Sequence, residues 1–276
     1  MTSTRDIRNK IRTVRNIEQI CRAMKTVSSI RLRRAEQRLT GARPYHQKLA
    51  ELVGSVAAIT QGHPFLRDGL AGRTGLVVVT SERGLCGGYN AAAVRAAMAA
   101  VPPAEAVGVA VGRKGLVQLR LRGYELADQL TLAGGEPEVA TVHSLADRIG
   151  RLYLEGAIGR LVIVYTRFLG GTRTEVRADT ALPVQPSQAE IEELIFEPQP
   201  AAMLPGLMQR YLRNELLAAV LESVTSEHAA RVAAMTAATD NAEEMIQRLT
   251  LDYNKARQSA ITKELIEIVS AAGAAA

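Results

Sequence analysis

The chain has 276 residues, 47% of them hydrophobic and only 4% aromatic, with no Trp and a formal net charge of +6. That length buries one large core or two modest ones. The scarcity of aromatics argues against a stacking surface for single-stranded nucleic acid, and no apolar run nears the roughly 18 residues that span a bilayer, so a soluble protein is expected. Two cysteines, Cys21 and Cys86, cannot make a disulfide framework and fit a reducing compartment. Four scattered histidines offer no metal-ligand spacing.

Residues 1–40 hold the basic surplus, eleven Lys/Arg against three acids, whereas the rest of the chain is balanced or mildly acidic. They contain neither Gly nor Pro, and Ile7, Ile11, Val14, Ile17, Cys21, Met24 and Val27 recur with the mean spacing of a coiled-coil seam. Thr2, Ser3 and Thr4 offer helix caps, and Gly41 and Pro44 are the first plausible stop signals. The expectation is an N-terminal coiled-coil arm within residues 1–60, a helix roughly 60 Å long.

From residue 72 to about 200 the period changes. Leu76–Thr80, Ala106–Val111 and Leu161–Tyr165 are short β-branched runs, and RTEVRADTALPV after Thr172 reads as a further strand before Pro183. Helical stretches, Ala91–Ala100, Lys114–Arg122 and Ser144–Gly156, alternate with them. The alternation predicts a mainly parallel sheet covered by helices, a Rossmann-like α/β domain.

Within it, TSERGLCGGYN follows an apolar strand and leads into a helix, the arrangement that cradles phosphates in nucleotide-binding proteins. The glycines Gly84, Gly87 and Gly88 match neither Gly-x-Gly-x-x-Gly nor the P-loop ending. A tight structural turn is the simpler reading, with Cys86 as a small buried residue lacking any companion His or acid for catalysis. No convincing acid/base pair appears elsewhere; Glu243-Glu244 and Glu192-Glu193 read as solvated helix surface.

Pro198, Pro200 and Pro205 precede the last segment, 205–276, whose 66 residues between Gly206 and Gly273 hold no Gly or Pro. Met235, Ala238, Ala242, Met245, Leu249, Tyr253, Ala256 and Ala260 follow heptad-like steps. A helix of roughly 100 Å needs a partner for such a stripe, and the basic N-terminal arm supplies one, antiparallel to it. From the residues alone two other readings stay open. The basic helix with Arg31, Arg33, Arg34 and Arg38 can bind nucleic acid, or the Gly84–Gly88 loop can serve a nucleotide-binding enzyme. Asp6 and Glu18 speak against a transit peptide.

Three stretches carry a resemblance. IRNKIRTVRNIEQICRAMKTV near the start, SERGLCGGYN in the middle, and SEHAARVAAMTAATDNAEEMIQRLTLDYNKARQSAITKELIEIV near the end closely resemble the γ subunit of F-type ATP synthases. The resemblance implies a coil acting as central shaft inside a hexamer of α and β subunits, with a foot on a ring of membrane c subunits and the ε subunit alongside. It implies a non-catalytic subunit without cofactor, metal or nucleic acid, peripheral to the membrane on the cytoplasmic face of the bacterial inner membrane. By motif, Arg257 and Gln258 match positions that bond to a β-subunit loop, and Met24 a position near the β lever. Tyr211 and Leu212 match the region near the c ring, and Gly84, Cys86, Gly87 and Gly88 a structural turn. Cys21, Thr26, Ser28, Ser29, Ile30 and Glu82 stand where the family usually carries other residues.

Overall fold

The computed structural model describes residues 4–60, 63–66, 72–186, 197 and 199–274, without the side chains of 263, 267 and 269–274. Thr2, Ser3, Glu192, Glu193 and Pro198, read above as caps, surface or linker, lie outside the described residues. The chain forms two compact units, one of Met1–Val27 with Val232–Ala276, the other of Ser28–Arg231. The two long helices, α1 (Thr4–Ile59) and α5 (Pro200–Ala274), contribute to both. Residues 28–59 and 200–231 thus belong with the sheet, a wider unit than the 72–200 expected.

The larger unit holds β1 (Arg73–Val79), α2 (Tyr89–Ala100), β2 (Ala106–Val111), α3 (Arg113–Leu121), β3 (Glu125–Leu130), α4 (Val139–Leu154), β4 (Ile158–Gly170) and β5 (Arg173–Leu182). The sheet order is β3-β2-β1-β4-β5, parallel except for the β4–β5 pair. β2 is buried along its whole length and β1 from Gly75 onward, which is why both read as continuous Val/Ala runs. Successive side chains point to opposite faces. Val77, Val79, Val109 and Ile163 pack under α1, α4 and α5, and Leu76, Val78, Ala110 and Val164 pack under α2 and α3. The strand β3 escaped the sequence reading because it is a sheet edge: ELADQL is polar and only its last residue is fully buried.

Helix α1 runs through Gly41 and Pro44, overriding both stop signals. Pro44 and Thr40 are exposed, so the carbonyl deprived of its helical donor faces water. Meanwhile Leu39, Leu49, Val53 and Val56 are buried on the opposite side. α5 likewise starts earlier than expected, with Pro200 at its first position, where a missing N–H costs nothing, and Pro205 inside it.

In the smaller unit α1 and α5 run antiparallel. The Arg8 guanidinium donates to the Tyr253 hydroxyl at 2.6 Å and lies 5.5 Å from the ring centroid, and Arg22 meets Glu243 at 2.9 Å. The seam differs from the expected one in detail. Ile17, Val27 and Met245 are about half exposed, at 49%, 51% and 51%. Glu18, Ser28 and Ile246 take their places, and with Lys25 and Thr239 for Met24 and Ala238 the steps of four and three alternate strictly from Ile7 to Val56 and again from Met235 to Ala256. At about 100° per residue, Ile17 points about 80° away from Ile7 whereas Glu18 is within about 20°. Two successive steps of three walk off the stripe, and the more polar residue inherits the seam position.

Candidate functional site: the glycine turn and the partner-facing helices

The order β2-β1-β4 places a topological switch point at the carboxyl ends of β1 and β4, where doubly wound sheets bind nucleotides. TSERGLCGGYN leaves β1 at that point, so the question raised by the loop is decided by what fills the crevice. Here it is the chain's own α5. Glu222 through Ala229 are all buried, and Glu222, Ser223 and Ser226 spend their polar groups on the sheet end. The Ser223 hydroxyl accepts from the Thr166 amide at 3.1 Å, and Ser226 donates to the Thr166 carbonyl at 2.9 Å. Glu222 accepts from the Phe168 amide at 2.8 Å, and the Tyr89 hydroxyl donates to the Ser223 carbonyl at 3.0 Å. Arg231 reaches the carbonyls of Arg83 and Gly84 at 3.5 and 3.3 Å and pairs with Glu227 at 2.5 Å.

The turn is also closed upon itself. Ser81 and Asn90 exchange hydrogen bonds, the Ser81 amide and hydroxyl to Asn90 Oδ1 at 3.0 Å each, with the Asn90 amide 3.3 Å from Cys86 Sγ. Glu82 accepts from the Leu132 amide at 2.6 Å. Burial pushes the Cys86 thiol above its usual range, which removes the thiolate a nucleophile needs. Leu85 and Gly87 hold φ of 63° and 57°, the left-handed region that favours glycine at Gly87; Gly88 has open space around it. Next door, Gly112 turns β2 into α3 under the Thr80 carbonyl, and Thr80 Oγ1 accepts from the Gly115 amide at 2.7 Å. These polar groups tie strand, turn and α5 together, while the Arg83 side chain stands exposed. Sequence reading missed the role of Tyr89 at the head of α2, and missed Ser223, Ser226 and Arg231, whose only signal was a polar run, ESVTSEHAAR, inside an otherwise alanine-rich helix.

Among the described residues no group of three or more His, Cys, Asp or Glu can hold a metal ion, and no helix is long and apolar enough to cross a membrane.

The family model described as ATP synthase matches residues 3–275. A γ chain of ATP synthase from Moorella thermoacetica is 39% identical over 99% of both chains, and that of Chlorobaculum tepidum is 37% identical with the same coverage. The chain belongs to the ATP synthase γ chain family. Among solved structures, a chain of the Euglena gracilis mitochondrial ATP synthase is similar with a TM-score of 0.73 at 19% identity, covering 98% of this chain and 94% of that one. A chain of the Tetrahymena thermophila central stalk and c-ring structure gives 0.62 at 22%, covering 79% and 99%. At such identities these likenesses speak for the fold.

As a γ chain the protein is the rotary shaft of an F-type ATP synthase, a non-catalytic subunit peripheral to a membrane complex, while catalysis belongs to the β subunits. Membership sets aside both the nucleic-acid and the nucleotide-enzyme readings. Of the residues matched by motif, Met24 is half-buried on α1, and Arg257 and Gln258 are exposed on α5. Leu212 is buried at 3% and lies over Gly150, 3.2 Å from where a Cβ would stand, with Tyr211 partly buried beside it. Leu212 therefore fastens α5 to α4 and offers no surface to a partner.

Proposed function

We propose that the α1–α5 coil of this γ chain turns inside an α/β hexamer, with the sheet-bearing unit meeting a c ring and an ε subunit on the cytoplasmic face of a bacterial inner membrane. The observation that carries this reading is the end of α5. Arg8, one turn into α1, meets Tyr253, so among the described residues the part of α5 from about Gln258 to Ala274, about five turns, has no helix to lie against. Ile261, Leu265, Ile266 and Ile268 there are 44–65% exposed. An apolar helix end of that length calls for a sleeve supplied by other subunits, and side chains with few directional bonds let it rotate within that sleeve.

In this reading Arg257 and Gln258, exposed one turn beyond Tyr253, bond to a loop of one β subunit, and Met24 lies near the β lever that senses rotation. Tyr211 and Leu212 brace the foot next to the c ring. The shaft presents a different face to each β subunit as it turns, and binding, formation and release of ATP follow in sequence at the three sites.

Reconstitution tests it: the purified chain is mixed with α and β subunits of the same organism, and particle mass and ATP hydrolysis are compared with and without it. One chain per hexamer, with hydrolysis well above that of the α/β mixture, is the expected result. Failure to incorporate would sink the proposal.

A further inference from the structure

We infer that the cleft between α1, α5 and the β4–β5 ribbon is a binding site for a primary ammonium group carried on an apolar stem. The cleft encloses about 340 Å3 within the Ser28–Arg231 unit, a volume at the small end of ligand pockets. Leu39, Ile163 and Ala181 are buried in its wall, and Ala218, Leu217 and Leu221 complete an apolar floor.

Among the described residues its carboxylates are matched with one exception. Arg43 is spent on Glu222, with Nε and Nη2 donating to one carboxylate oxygen at 3.0 and 2.9 Å, and on the Phe168 carbonyl at 2.8 Å. The other Glu222 oxygen accepts from the Phe168 amide. Asp179 accepts from the Tyr165 hydroxyl at 2.8 Å and faces Arg177 at 3.6 Å. Arg167 stands exposed at the rim.

Glu215 is the exception. Its side chain is only 22% exposed, and the one cationic candidate near it is His46, with Nδ1 3.7 Å from Oε1. That nitrogen already lies 2.9 Å from the Asn214 amide nitrogen. An amide NH2 only donates, so Nδ1 is the acceptor there and holds no proton for Glu215. Burial moreover lowers the His46 pKa, which leaves the ring neutral at pH 7. Among the described residues no donor or cation then serves the Glu215 carboxylate, and burial together with Asp179 raises its pKa to about 7. A desolvated carboxylate without a partner, at the side of an apolar cleft, is what a protonated amine with a hydrocarbon stem satisfies: the ammonium offers three donors and a charge, and the stem covers the floor.

Such an ammonium can come from a free amine or from the lysine of a partner chain. The probes are therefore phenethylammonium for the first and Nα-acetyl-lysine methylamide for the second, with phenethyl alcohol as the uncharged match. Titration calorimetry on the purified full chain at pH 8 reads each affinity, and the lysine probe binding tenfold tighter than phenethylammonium assigns the site to a partner chain. At least one ammonium probe is expected to saturate a single site, at least tenfold tighter than the alcohol. Its affinity should fall about thirtyfold between pH 8 and pH 5.5, where Glu215 takes up a proton. Glu215→Gln should abolish the preference for the ammonium. Ala218→Leu, which keeps the carboxylate and fills the floor, should weaken binding at least tenfold and covers the case in which Glu215→Gln does not fold. No saturable binding by either ammonium, or binding unchanged in a folded variant of either kind, overturns the site.

Discussion

Arg231 shows how a single side chain can lock the turn against α5. It is 8% exposed, and its partner Glu227 is 5% exposed. Removing one member of a buried pair strands the other charge, at a cost of about 3–5 kcal/mol. Arg231→Met should lose stability of that order in urea unfolding at pH 7, and adding Glu227→Gln should recover most of it. The buried titratable groups make opposite demands on pH. His228, held at about 4 by burial and by Arg231 and Arg31, contributes stability that is present above its usual 6.5 and lost as pH falls through about 4. Glu215, raised from 4.5 to about 7, contributes stability that is present below 4.5 and lost as pH rises through about 7. Urea midpoints measured from pH 4 to 8 should lose their acid-side slope in His228→Gln. In Glu215→Gln, the decline between pH 4.5 and 7 should vanish.

At the scale of elements, strong local signals were overridden where packing opposed them. Pro44 sits mid-helix because the α1 stripe that continues past it, Leu49, Val53 and Val56, is buried against the sheet and α5. Pro44→Ala restores the amide that Thr40 lacks, at an exposed position, and should raise stability by about 1–3 kcal/mol, read as a higher thermal midpoint. The glycines divide the same way. A Cβ at Gly112 would stand 2.2 Å from the Thr80 carbonyl oxygen at a φ of 91°, while Gly88 has nothing within 4 Å and a φ of −81°. Gly112→Ala should cost at least about 2 kcal/mol and Gly88→Ala close to nothing; equal effects in denaturant melts would contradict the close approach of Gly112 to Thr80 where the chain leaves β2 and β1.

For the whole molecule, the apolar end of α5 separates folding from assembly. Leu265 and Ile266 are 57% and 60% exposed in the chain by itself, so Leu265→Ser with Ile266→Ser should leave the melting of the isolated chain nearly unchanged. The same pair should loosen its retention in an α/β hexamer, read as chain lost on gel filtration. Equal retention would mean that the sleeve does not grip these residues. Coupling is tested nearer the middle of the coil: Met24→Lys puts a charge at a half-buried position and should lower ion pumping per ATP hydrolysed.

The linear sequence determined the period of each segment. Heptads poor in Gly and Pro gave the two long helices, and β-branched runs separated by helical stretches gave the parallel sheet, because these patterns follow from local geometry and burial alone. Motif resemblance in IRNKIRTVRNIEQICRAMKTV and NKARQ gave the family. Tertiary structure decided what local pattern cannot encode. It chose Glu18 over Ile17 for the seam, since the partner helix selects direction before polarity. It admitted ELADQL as a strand, since an edge needs only one neighbour. It also turned a loop of nucleotide-binding outline into a structural joint. Nothing in SERGLCGGYN announces that residues 222–231, more than 130 positions away, fill the crevice in front of it; only the folding of α5 across the sheet end brings them there.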